Sequence, residues 1–291
     1  MKKRGQLSIV LIVVVMLAII LGFSYYIYNS GSAKKSAIVS KSSSQAKDSD
    51  MVRVYAENCL KAASEDALFN RLGLLGGYID SKENAEYGEQ GIPESQAVQY
   101  AEFKLPYAPY ATPFQTADIE KKMENYVIVE FEKCFNKNKF RDIGIAVKKP
   151  EVNYQRERFD LSRTDVGIKV QLNDEDVSVQ LKYPLNVKIN DAESKIENFN
   201  AAVPIRFKEL YESSKQFVDN AMAAQPEAYA LSSHCNEYNK NGLTNVYVLD
   251  NGAGGRVIRF VDFSTYQNNY FKSFVFQFAM KDAKIEGSCA G

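Results

Sequence analysis

The sequence lacks an excess of charge of either sign and contains very little histidine. Its 291 residues include 36 Lys and Arg and 36 Asp and Glu, so the formal net charge is zero, which disfavours a generally basic protein that binds nucleic acid. Any mechanism based on a Ser/His/Asp or Cys/His group must use the one histidine, His234. The chain also lacks G-x-S-x-G, P-loop and H-E-x-x-H motifs. We therefore predict no enzymatic activity and no cofactor.

The zero net charge hides an asymmetry along the chain. Residues 1–50 carry seven basic and two acidic side chains, whereas the remaining 241 residues carry 29 basic and 34 acidic ones. With 45% hydrophobic and 25% charged residues, the composition is that of a globular protein that can bury a core. The sequence therefore predicts a basic N-terminal segment followed by a folded, slightly acidic domain.

An uncharged segment of 22 residues, Leu7–Tyr28, follows Lys2, Lys3 and Arg4. As a helix it would be about 33 Å long, which is enough to cross the hydrocarbon layer of a membrane. The alternative is a cleaved secretory signal, with small residues at 31–33, but the apolar run exceeds the about 7 to 15 residues usual for such signals. We predict a basic leader at 1–5 and a transmembrane helix at 6–28.

The residues after this span predict a tether and then an exterior domain. Residues 29–50 are rich in Ser and Lys and predict a flexible linker. A helix and antiparallel-sheet region is expected at 51–200, and a C-terminal helix with strands at 201–291, as one module. Because helices and strands are grouped without βαβ alternation, the predicted fold class is α+β with antiparallel sheet. Helices are predicted at 51–72, 116–135 and 207–221, and strands at 166–172, 177–183, 244–249, 256–263 and 273–280.

All four cysteines lie beyond the uncharged segment: Cys59, Cys134, Cys235 and Cys289. They have no C-x-x-C spacing, which argues against a zinc site or a thioredoxin-type redox site. An even number of cysteines suits an oxidised exterior domain. Of the three connectivities open to four cysteines, we prefer 59–134, which joins the apolar faces of two predicted helices, and 235–289, within the C-terminal quarter.

Three local patterns in the sequence are candidate sites. His234 lies beside Cys235, and we interpret it as a loop residue next to a disulfide. The turn at 173–176 has clustered oxygen donors that suit calcium, but it lacks the twelve-residue loop pattern, so a solvated turn is the preferred interpretation. The glycines at 252–255 lie between predicted strands, with no helix N-terminus to bind a phosphate, and indicate a hairpin loop. The sequence predicts no metal site.

Prolines interrupt the segment before residue 116, which we predict to be a long extended or looping excursion. Tyr107 and Tyr110 lie between these prolines. Tyrosine gives a large contact area at low entropic cost, so these two residues are the candidate contact surface. The alternative is that both rings lie buried over the core.

The stretch from Lys2 to Ser8, followed by a long Ile/Val/Leu run, resembles the class III signal peptides of archaeal type IV pilin-like proteins. The resemblance covers about 25 residues and implies cleavage between Gly5 and Gln6, with the apolar helix as filament core or anchor. Val10 stands where many pilins carry a glutamate, a departure that weakens the implied filament assembly. The alternative is a plain signal-anchor without cleavage. The segments 57–60 and 76–79 also resemble uncharacterised membrane-anchored proteins of small-genome archaea, which implies no activity.

Three classes of function remain. The first is a membrane-anchored extracytoplasmic surface protein with a structural, adhesive or pilin-like role through surface contacts. The second is an anchored receptor for a small molecule or peptide, and the third is an anchored hydrolase with a carboxylate pair. The expected partners are membrane lipid, through the N-terminal helix, and another protein or filament subunits, but not nucleic acid.

Overall fold

The structure is a computed structural model, and it describes residues 36–79, 92, 96–108, 115–150, 154–155, 158–159, 165–225, 227–239, 242–250, 255–267, 272–281 and 283–289. The predicted leader with Gly5 and Gln6, the predicted transmembrane helix and Tyr110 lie outside these residues. Within the described part of the chain, no helix is long and apolar enough to cross a membrane.

The chain divides into two compact units, residues 1–50 and 51–291. The second unit combines helices with mainly antiparallel sheets, which confirms the α+β class. The helices are α1 (Ser36–Asp66), which continues as a π-helical turn at Ala67–Leu72, α2 (Thr116–Cys134), α3 (Phe207–Ala223), α4 (Cys235–Tyr238) and α5 (Ser264–Gln267), with 3-10 turns at Lys137–Ile143 and Leu231–Ser233. The strands are β1 (Ala97–Tyr100), β2 (Phe103–Ala108), β3 (Ile145–Lys148), β4 (Tyr154–Gln155), β5 (Arg158–Phe159), β6 (Gly167–Leu172), β7 (Val177–Ile189), β8 (Ala192–Val203), β9 (Tyr229–Ala230), β10 (Thr244–Asp250), β11 (Arg256–Asp262), β12 (Phe274–Met280) and β13 (Ile285–Glu286).

Helix α1 begins earlier than the sequence predicts. The predicted helix starts at residue 51 after a flexible linker at 29–50, whereas α1 starts at Ser36. Residues 36–66 contain no glycine or proline, so no residue interrupts helix propagation from the packed turns that follow. The structure thus differs from the predicted linker over 36–50, and residues 29–35 lie outside the described residues.

A four-stranded antiparallel sheet is built around the 13-residue strand β7. Strand β8 pairs along one edge of β7, while β6 and β3 pair in succession along the other edge. Side chains of β7 alternate between buried and exposed positions, so one face of this sheet contacts the core and the other faces solvent. The predicted strands at 166–172 and 177–183 and their connecting turn are confirmed.

A five-stranded sheet has the order β1-β2-β12-β11-β10, with a parallel pair only between β2 and β12. Strands β1 and β2 form a hairpin inside the segment predicted to be a long extended or looping excursion, so residues 97–108 are extended but are paired into a sheet rather than looping. Pro106 lies opposite Ala97 at the end of the β1–β2 ladder and before the β2–β12 ladder begins at Tyr107, so its missing N–H falls at the margin of both ladders.

Aromatic side chains fill the space between the helices and the sheets. On α3, Phe207 lies 5.9 Å from Phe276 and Phe217 lies 5.9 Å from Phe260, both edge to face, so α3 packs on the five-stranded sheet. On α2, Phe131 lies 5.2 Å from Tyr183 of β7, so α2 packs on the four-stranded sheet. Both contacts belong to one continuous buried cluster.

Gly73 permits a close approach between the turn after α1 and strand β12. The Gly73 carbonyl oxygen accepts a hydrogen bond from the backbone N–H of Gln277 at 3.0 Å. A Cβ at Gly73 would lie 2.3 Å from the Val275 carbonyl oxygen. Any side chain here would therefore force the turn away from the sheet.

Both disulfides have the preferred connectivity. Cys59 of α1 pairs with Cys134 at the end of α2, with their Cα atoms 5.6 Å apart. Cys235 pairs with Cys289 across 5.3 Å between Cα atoms, and backbone hydrogen bonds in both directions also join Cys289 to Val246. The bridges therefore hold α1 to α2, and the C-terminal segment to α4 and β10.

Removal of either bridge should destabilise the protein strongly. The bridges span sequence separations of 75 and 54 residues, so loop-closure entropy predicts a loss of about 4 kcal/mol for Cys59→Ser/Cys134→Ser and a similar loss for Cys235→Ser/Cys289→Ser. Urea unfolding of the full chain measures both losses against the oxidised parent. A loss below about 1 kcal/mol for either double variant would contradict the structural role of that bridge.

Candidate functional site

The outer face of the five-stranded sheet carries a row of apolar side chains. Leu249, Val257, Ala279 and Tyr107 follow one another in register across four strands, on the side opposite the core residue Ile258. We call the apolar cluster on this side the tyrosine face; its residues are Val98, Tyr100, Phe103, Leu105, Tyr107, Leu249, Val257 and Ala279.

The tyrosine face is only partly exposed. Leu105, Val257 and Ala279 are fully buried, whereas Tyr100 and Tyr107 are partly buried. Tyr107 is therefore neither a deeply buried ring nor a freely projecting one. Because Tyr110 lies outside the described residues, the contact surface at Tyr107 and Tyr110 stays a prediction.

A buried polar cluster lies at the start of α3, beside the start of β10 and the end of β11. Arg206, which precedes α3, contacts Asp262 at the end of β11, with 2.7 Å between Nη2 and Oδ1 and 3.3 Å between Nε and Oδ2. The Arg206 Nη2 atom also donates to the Thr244 hydroxyl at 3.3 Å, and Nη1 lies 3.1 Å from a Glu209 carboxylate oxygen. The Ser264 hydroxyl donates to Asp262 at 2.8 Å. The cluster thus joins the ends of β8, β10 and β11.

Both charges of the Arg206–Asp262 pair are buried and engaged. The Asp262 side chain is completely buried, and that of Arg206 is 4% exposed. Burial by itself lowers the pKa of Arg206, but the hydrogen bond and the charge of Asp262 outweigh it and raise that pKa above the usual arginine value. Sequence reasoning missed this pair because 56 residues separate its members and no local motif marks them.

Buried tyrosines act as neutral hydrogen-bond donors and packing groups. Desolvation raises the pKa of Tyr211 to about 12. Burial also raises the pKa of Tyr126, helped by its hydrogen bond to Asp66, and the pKa of Tyr238, which lies 2.7 Å from the Tyr229 hydroxyl. None of these phenols is activated for proton transfer near neutral pH.

His234 is held by its neighbours in the C-terminal part of the chain. Its Nδ1 atom lies 2.8 Å from Glu237 Oε1, and its ring stacks on Tyr229 with the centroids 5.0 Å apart. The adjacent Cys235 is disulfide-bonded and therefore cannot act as a thiolate nucleophile. This geometry agrees with the interpretation of His234 as a residue next to a disulfide.

Side-chain contacts within the turn and with α3 hold the acidic turn at 173–176 in place. The Asn173 amide donates to Asp176 Oδ1 at 2.7 Å, and Lys208 of α3 forms an ion pair with Asp174 at 2.8 Å, which raises the pKa of Lys208. Among the described residues, no group of three or more His, Cys, Asp or Glu side chains is placed to hold a metal ion. Of the predicted glycine loop, only Gly255 is described.

Shallow grooves open on the surface of the described chain. One of about 450 Å³ lies beside the ends of β10 and β11, where Asp250 and Arg256 form an ion pair at 2.9 Å, with Lys284 and Glu286 nearby. A second, of about 430 Å³, crosses the exposed face of β6, β7 and β8. The first groove is lined by two carboxylates, Asp250 and Glu286, and by two cations, Arg256 and Lys284. Asp250 already forms an ion pair with Arg256.

Comparison with other proteins adds no family assignment. No protein-family model matches the chain, and neither the comparison with curated proteins nor that with solved structures finds a match.

The buried ion pair should carry far more stability than an exposed one. Arg206→Ala leaves Asp262 as an unpaired buried charge and should cost about 3 to 5 kcal/mol of unfolding free energy. Lys208→Ala breaks the exposed pair with Asp174 and should cost less than about 1 kcal/mol. Chemical denaturation of the full chain measures both, and equal costs would contradict the role assigned to Arg206.

Proposed function

We propose that this chain is a membrane-anchored extracytoplasmic surface protein that acts through surface contacts rather than catalysis. The observation that carries the proposal is the pairing of all four cysteines into two disulfides within residues 51–291. Such bridges form and persist in oxidising compartments, and the uncharged segment Leu7–Tyr28 precedes them in the chain. The segment is long enough to hold the domain at a membrane.

The contact role rests on the outer face of the five-stranded sheet. In this proposal the tyrosine face, with Tyr107, contacts a protein partner or other subunits of a filament; Tyr110, three residues further along the sequence, remains the second predicted contact residue. Partly exposed aromatic rings on a rigid sheet suit such contacts, because they offer a large area and lose few rotamers on binding.

The N-terminal processing of the pilin-like resemblance belongs to the same proposal. Cleavage between Gly5 and Gln6 would leave the apolar segment at the mature N-terminus as an anchor or filament core. A plain signal-anchor would keep Met1–Gly5 and would support an anchored surface protein that does not assemble into a filament.

Labelling of intact cells tests the orientation. An impermeant amine-reactive reagent should modify exposed lysines of the 51–291 domain, such as Lys61, without permeabilisation. A cytoplasmic protein of the same cells serves as the unlabelled control. Modification of the domain only after permeabilisation would contradict the proposal.

The intact mass of the protein purified from these cells distinguishes the two N-terminal alternatives. Its intact mass should correspond to a chain that begins at Gln6 if a prepilin-type peptidase acts, and to one that retains Gly5 if the segment is a plain signal-anchor. Loss of the whole segment 1–33 would show a cleaved secretory signal and would contradict the anchor.

A further inference from the structure

The exposed face of β6, β7 and β8 contains a positively charged groove that the proposed function does not use. Its volume is about 430 Å³. We call it the lysine groove; the polar and glycine positions that line it are Gly167, Lys169, Gln180, Lys182, Asn198 and Asn200.

Strand register places these side chains in two rows. Lys169, Gln180 and Asn200 form one row across the three strands, and Gly167, Lys182 and Asn198 form the next. Neighbouring strands are about 4.8 Å apart and the rows about 7 Å apart. Two ammonium groups and three amides therefore occupy a flat area that one or two sugar rings would cover.

Gly167 opens the groove at its edge strand. A Cβ at this position would meet no heavy atom within 4 Å, so a side chain would begin in open space there. The space beside Lys182 therefore exists because a side chain is absent, and not because close packing requires a glycine.

The groove is positive within an acidic part of the chain. No acidic residue lines it, whereas residues 51–291 as a whole carry 29 basic and 34 acidic side chains. The nearby Glu197 is bound to Lys195, and that hydrogen bond, with a smaller contribution from Lys182, lowers the pKa of Glu197. In the described residues, the side chains of Lys169, Gln180 and Asn200 form no hydrogen bond or ion pair with other groups.

We propose that the lysine groove binds an acidic polysaccharide, with Lys169 and Lys182 contacting carboxylates of its uronic acid units. The amides of Gln180, Asn198 and Asn200 both donate and accept, which suits the hydroxyl groups of a sugar ring. A lipid surface fits less well, because the polar groove offers no exposed apolar side chain for insertion between lipid headgroups. The inference rests on the proposed function, since an exterior domain meets such glycans.

Binding of oligogalacturonate to the full chain in neutral nanodiscs tests this inference. Lys169→Ala and Lys182→Ala should each weaken binding about threefold, and the double variant about tenfold, as expected for exposed ion pairs. Gly167→Leu should weaken it at least tenfold by filling the groove. Lys215→Ala, at an exposed lysine of α3, is the matched control and should change nothing. Thermal unfolding of each variant checks that it is folded.

Neutral dextran oligomers and glycerophosphate separate the alternatives. Oligogalacturonate should bind, dextran of equal length should not, and rising salt should weaken the binding. Equal binding of dextran, displacement by glycerophosphate at lower concentration than by digalacturonate, or an equal loss in Lys215→Ala would overturn the inference. Exterior labelling without oligogalacturonate binding would reject this inference alone, whereas labelling only after permeabilisation would reject the proposed function whatever binds.

Discussion

The buried ion pair between Arg206 and Asp262 is the constraint on which the start of helix α3 depends. Arg206 stands between the end of β8 and the start of α3, and Asp262 ends β11, so the pair ties the connection that follows the four-stranded sheet to the five-stranded sheet. Helix α3 begins at this junction, and its aromatic face then packs on β12. Because both charges are buried, loss of either partner would leave the other as an unpaired charge in the interior.

One disulfide and one glycine hold helix α1 and the turn that follows it. The bridge at Cys59 holds α1 to α2, and Gly73 lets the following turn approach β12 closely. The inner faces of both sheets pack against the core. In our account, contacts with partners therefore fall to the outer faces, where the tyrosine face and the lysine groove lie.

Patterns of local spacing predicted much of the fold. The three-and-four spacing of apolar residues predicted α2 and α3, strict alternation predicted β6 and β7, and placement on apolar helix faces predicted the 59–134 bridge. Long-range features were not predictable. The parallel pairing of β2 with β12 and the contact between Arg206 and Asp262 both join segments that are distant in sequence, and no local pattern marks either one. The early start of helix α1 was also missed. Its first residues have a low apolar content, which is typical of disorder, although no residue among them breaks a helix.

The oxidation state of the cysteines inside living cells tests the central claim most directly. Rapid acid quenching, followed by alkylation of the denatured chain and mass measurement, counts the free thiols. If the domain is exterior and contains the Cys59–Cys134 and Cys235–Cys289 disulfides, no cysteine should be alkylated before reduction and four should be alkylated after it. Four free thiols in the quenched chain would contradict the account, because the domain would then lie in a reducing compartment and both its anchor orientation and its contact role would fail.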